Sequence, residues 1–155
     1  MIRLGLILSL LILPAAAQIR EFSCVGSEQL EEENVAIPFP PGRDRVVEAE
    51  LAPLRDLVAI AQEEPERNLC VLGFAGPQEG GAETASRLAA RRARSISLEL
   101  AKMGIERDRI RAEARTRGFL DPARRSRSGG VSHTSGVRVV LLPAAEPPPS
   151  PRPPT

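Results

Sequence analysis

The chain contains no tryptophan or tyrosine, a single lysine (Lys102), a single histidine (His133) and two cysteines among its 155 residues. With phenylalanine as the only aromatic and a formal net charge of +1, it has neither the stacking platform nor the field of a nucleic-acid binder, and no nucleic-acid partner is expected. One histidine and two cysteines do not make a zinc site, which needs three or four ligands at close spacing, so no metal and no cofactor are expected. Ser132, His133 and Thr134 are adjacent, but a catalytic triad requires a base oriented in space by a third group, which chain neighbours do not supply. The chain reads as non-enzymatic.

At the amino end, Arg3 precedes a nearly all-aliphatic run from Leu4 to Leu13 and then Pro14-Ala15-Ala16-Ala17. This pattern predicts a secretory signal peptide over residues 1–17. The apolar stretch is shorter than the roughly 20 residues of a spanning helix. No later segment reads as a transmembrane span, so the mature protein is expected to be exported and soluble.

Arginine supplies 20 of the 21 basic residues. Residues 18–66 hold 4 basic and 12 acidic side chains, and residues 67–155 hold 16 and 8, a split of −8 against +8. One half folding over the other explains it; two separate partner patches are the weaker explanation. Cys24 and Cys70 are a possible disulfide in an exported chain. The alternative is a small buried Cys70 and a free Cys24 on a loose arm.

Residues 18–34 read as an acidic arm, extended with at most a short helical turn. Val35, Ile37 and Phe39 alternate as in a half-buried strand, and Pro38 places that strand at a sheet edge or ends it. After Pro40-Pro41-Gly42, a helical pattern puts Val47, Leu51, Leu54, Leu57, Val58 and Ala61 on one side. Residues 67–74 read as a strand that is apolar on nearly every residue, the kind covered on both faces. A Gly/Pro-rich turn leads to a long helix over residues 82–103 that Gly104 ends. Residues 110–114 alternate as a third strand. Residues 117–134 read as a loop with a basic cluster at Arg124, Arg125 and Arg127, and residues 137–142 as a last strand. The order β-α-β-α-β-β predicts an α+β two-layer sandwich, with the helices packed on one face of a four-stranded mixed sheet. Residues 143–155 include seven prolines and are expected to form an extended, disordered tail.

The long helix carries an anomaly. At 100° per residue, Ala85, Leu88, Ala89, Ala93, Ile96, Leu100 and Met103 share one arc, and Arg92 lies inside it while Arg87, Arg91 and Arg94 point away. A guanidinium on an apolar stripe is costly unless acceptors meet its five donors.

These features together resemble the OmpA-like peptidoglycan-associated domain over residues 35–142. The resemblance rests on the order of elements, the strand end Val71-Leu72-Gly73-Phe74-Ala75-Gly76, the Gly-rich turn, the helix Arg87 to Ile105 and the following Arg109-Ile110. The family's strand ends in Gly-aromatic-Thr-Asp, its helix carries an Asn followed by Leu-Ser-x-x-Arg-Ala, and its last strand begins Asn-Arg-Arg. Here Gly73, Phe74, Leu88, Arg92 and Ala93 match. The Asp position falls at Gly76 counting from Gly73, or at Pro77 counting back from Arg92. The Asn position falls at Ala85, and Asn-Arg-Arg at Thr134-Ser135-Gly136.

The resemblance implies a module of the Gram-negative periplasm or the periplasmic face of the outer membrane. Its partner would be peptidoglycan, or alternatively another envelope protein. Stem-peptide binding would run through Arg92 and the turn, with Gly73, Phe74, Ala75, Gly76 and Glu79 as site residues. Glu79 and Glu83 could replace the missing Asp if the loop folds inward; otherwise they simply favour a helix start. Arg92 could instead pair internally, with Glu99 or an acid of the amino half. The competing expectation is therefore a degenerate OmpA-like fold that serves structure or protein contact.

Overall fold

The computed structural model describes residues 20–115, 119–120 and 133–145. The expected signal peptide, the basic cluster Arg124 to Arg127 and most of the Pro-rich tail lie outside them. Strand β1 (Asn34–Pro38) leads through a loop and a 3-10 turn into helix α1 (Ala52–Glu63). Strand β2 (Leu69–Phe74), helix α2 (Ala82–Lys102) and strand β3 (Ile110–Ala114) follow. A two-residue ladder, β4 (Phe119–Leu120) with β5 (His133–Thr134), precedes strand β6 (Gly136–Leu141).

The sheet order is β1-β6-β2-β3, with β2 and β3 parallel and the other neighbours antiparallel. This is the mixed four-stranded sheet expected, and both helices lie on one of its faces. β1 is an edge strand ending at Pro38, where a residue without an N–H does least harm to a ladder. Every residue of β2 is buried. Leu69 and Val71 pack among Leu54, Leu57, Ile96 and Leu100 of the helices, and Cys70, Leu72 and Phe74 face the other way. Gly73 allows the closest approach of sheet and helix, since a Cβ there would sit 2.1 Å from the Ala89 carbonyl oxygen.

Two expectations are corrected. Val47 does not share the buried face of α1: it precedes the helical turn in extended backbone and is 49% exposed. β3 does not alternate in burial either, because at the outer edge Ala112 and Ala114 are too small to be covered.

The acidic arm is a layer rather than a loose lead. Residues 20–33 cross the sheet face opposite the helices and contain one 3-10 turn, Ser27–Gln29. Cys24 is bonded to Cys70 of β2, with their Cα atoms 5.7 Å apart. The two form a second apolar cluster with Leu72, Phe74 and Val140, flanked by Phe22, Leu30 and Leu142. The charge split is also spent partly inside the fold. Glu33 and Glu64 pair with Arg67, Asp44 with Arg91 and Glu28 with Arg115, all joining the acidic half to the basic half.

Candidate functional site

Strand register sets the site. Pro38 pairs with Gly136, and Gly136 with Phe74, so the end of β1, the start of β6 and the end of β2 lie in one row. The loop after β1, the turn after β2 and Ser135 before β6 therefore converge at one end of the sheet. Arg92, from the middle of α2, reaches into this convergence and is fully buried.

Its donors are taken. The Nε–H donates to the Arg43 carbonyl at 2.7 Å. Nη1 donates to the Ser135 hydroxyl at 2.6 Å, the Phe74 carbonyl at 3.1 Å and Glu79 Oε2 at 3.2 Å. Nη2 donates to Glu79 Oε1 at 2.7 Å and the Pro40 carbonyl at 3.1 Å. The guanidinium carbon lies 5.4 Å from the centroid of the Phe39 ring, within cation–π range.

Glu79 is the counter-ion, and its side chain is only 5% exposed. The 3-10 turn Pro77–Glu79 carries it back over Gly76. Its carboxylate accepts from the Gly76 N–H at 2.9 Å, the Gly42 N–H at 2.8 Å and the Ser135 hydroxyl at 2.6 Å, besides Arg92. Gly80 and Gly81 follow at φ 111° and 86°, a conformation open to glycine, and let the chain leave that turn and enter α2. Burial pushes the Glu79 carboxyl pKa upward, but the bonds from Arg92, Ser135 and the two N–H groups outweigh it and hold the pKa at about 2. The charged pair is thus closed at neutral pH.

Among the proposed site residues, Arg92, Glu79, Phe74 and Gly76 meet in this cluster, the latter two through backbone groups. Gly73 packs against α2, and Ala75 is buried with Ala85, Leu88 and Ala89. The internal partner of Arg92 is neither Glu99, which pairs with Lys102, nor an acid of the amino half. Glu83 pairs with Arg87 at the surface. Ser135, at the middle of the positions where Asn-Arg-Arg is absent, supplies the hydroxyl that bridges Arg92 and Glu79. The turn signal Pro40-Pro41-Gly42 marked a chain break but not that its backbone groups face Arg92.

Sequence reasoning also missed Arg109, which is 1% exposed. It donates to the Ala61 and Glu64 carbonyls at the end of α1 (2.7 and 3.1 Å) and to the Arg67 carbonyl (2.9 Å), so it caps a helix and ties it to the sheet.

No family model and no curated protein matches the chain. Solved structures do. The peptidoglycan-associated lipoprotein of Burkholderia pseudomallei aligns at 18% identity and a TM-score of 0.54, over 69% of this chain and 87% of that one. The C-terminal domain of Helicobacter pylori MotB aligns at 15% and 0.57, over 72% and 86%. The chain has the OmpA-like fold. The OmpA-like domain of FopA1 from Francisella tularensis, at 14% and 0.51 over 75% and 80%, agrees. Among the described residues no helix is long and apolar enough to cross a membrane.

Proposed function

We propose that this OmpA-like module works in the Gram-negative cell envelope after export. In the periplasm, or at the periplasmic face of the outer membrane, it serves as a non-catalytic structural or protein-interaction piece that does not hold peptidoglycan through Arg92. Similarity to a peptidoglycan-associated lipoprotein supports the envelope setting. The closed Arg92–Glu79 pair is the observation that carries the rest.

A carboxylate on a stem peptide is held most strongly by two parallel N–H donors of a guanidinium. On Arg92 those donors already hold Glu79 in a side-by-side pair. Glu79 is tethered thirteen residues from Arg92 and seated by three further donors, so an external competitor faces an effective concentration of order mM or more. It must also leave Glu79 with a new partner or strand it as a buried charge. Peptidoglycan binding by this route is displaced by an internal acid.

Cosedimentation with purified sacculi tests this reading. The mature protein and its Arg92→Ala variant are expected to stay equally in the supernatant. Retention of the parent that Arg92→Ala abolishes would overturn it and restore the wall-binding alternative.

A further inference from the structure

The arm, residues 20–33, is attached to the sheet in an uneven way. Its one fully buried apolar side chain is Cys24, while Phe22 and Leu30 are only partly covered and Val25 is 88% exposed. Its regular structure is a single 3-10 turn. Its ends are held by Arg20, which meets the Pro65 carbonyl and Asp108, and by Glu33, which meets Arg67 and the Leu141 N–H; its middle is held by arginines in or beside the sheet. Arg111 donates to the Phe22 carbonyl, Arg115 to the Cys24 carbonyl at 2.9 Å and Arg138 to the Glu28 carbonyl at 3.1 Å. An extended segment with so little apolar burial does not recover the conformational entropy lost in ordering it. The covalent tether changes that balance, because it holds the arm at high local concentration over the strand it covers. Beneath the arm lies a strip of Cys70, Leu72, Phe74 and Val140, all at most 3% exposed. The main core, on the opposite face, shares none of these residues.

We propose that the arm is a redox-latched cover: the Cys24–Cys70 bond keeps it shut over the sheet's outer face, and reduction releases it and uncovers that strip without unfolding the domain. The reductant is a dithiol. Its thiolate attacks one sulfur of the bridge to give a mixed disulfide and one free cysteine thiolate. Its second thiol then closes a ring on the reagent sulfur and releases the other cysteine. Two electrons pass from the dithiol to the bridge, the dithiol becomes a cyclic disulfide, and its two protons end on Cys24 and Cys70. Both sulfurs belong to buried residues, so attack follows fraying of the arm, and the highly exposed Val25 beside Cys24 marks a segment already half out of the fold.

Hydrogen exchange with mass readout, on mature protein with and without dithiothreitol, tests the latch. Reduction should speed exchange of residues 20–33 by about a hundredfold or more, while β2 and α2 change by less than about threefold. An environment-sensitive apolar dye should bind the reduced form only. The double variant Cys24→Ala with Cys70→Ala, which needs no reagent, should match the reduced protein. An arm that keeps its protection after reduction overturns the proposal, because its own contacts then suffice. Loss of protection in β2 and α2 together with the arm also overturns it, because the bridge would then hold the whole fold.

Discussion

The guanidinium of Arg92 and the carboxylate of Glu79 lie side by side, with Nη2 to Oε1 at 2.7 Å and Nη1 to Oε2 at 3.2 Å, almost wholly removed from solvent. Breaking such a pair from one side leaves an uncompensated buried charge, at a cost of roughly 3 to 5 kcal/mol. Glu79→Ala should therefore lower unfolding stability by about that amount in urea denaturation, and Arg92→Met by a similar amount. The double variant should cost clearly less than the two losses added together, a coupling of about 2 kcal/mol or more. Additive losses would mean that the pair is not closed in solution.

The same pair sets an acid limit. The Glu79 pKa is lowered from 4.5 to about 2 in the folded protein. Its contribution is therefore complete above pH 4.5 and is lost as pH falls from there through 2, an effect of order 3 kcal/mol. Denaturation midpoints measured from pH 6 to 2 should fall through this window in the parent. In Glu79→Gln, which has no proton to take up at this position, the fall should be shallower.

Gly73→Ala is expected to be severe for a reason unrelated to charge. The new Cβ would lie 2.1 Å from the backbone oxygen of Ala89 and 3.0 Å from the Ala93 side chain. Only separation of α2 from β2 relieves that, which should cost about 2 kcal/mol or more and lower the thermal midpoint by several degrees.

Arg109→Met should destabilise by roughly 2 to 4 kcal/mol although it leaves the Arg92 cluster untouched. It removes the side-chain donor from the buried Ala61 and Arg67 carbonyls and one of two donors from the Glu64 carbonyl, which keeps the Arg67 N–H. Exchange protection should fall first at the carboxyl end of α1, where two of those carbonyls lie.

Much of this arrangement was legible in residue spacing, and the remainder was not for definite reasons. The buried Arg92 followed from the 3.6-residue period, because an apolar stripe leaves little doubt about which way a helix faces. Glu79 did not follow. A carboxylate near a helix start is favoured by the dipole whether it points in or out, and only the 3-10 turn with the glycines behind it aims this one inward. Counting motif positions looked for an acid at Gly76 or Pro77, whereas the turn delivers one from Glu79 to the Gly76 N–H. Arg109 satisfies itself largely on backbone carbonyls, which carry no residue signature, and Arg67 divides its donors between Glu33, Glu64 and the Leu141 and Leu142 carbonyls. Cys24 hinted at an attached arm, but which sheet face it covers depended on the side of β2 that Cys70 occupies.

The central claim is that Arg92 is permanently held by Glu79, and the Nε–H resonance of Arg92 reports it most directly. The mature protein, labelled at arginine side chains, is titrated with a diaminopimelate-containing stem peptide to millimolar concentration. The account predicts that this resonance and the Gly42 and Gly76 amide signals stay where they are. A saturable shift of all three with added peptide, showing Glu79 displaced by the external carboxylate, would contradict it.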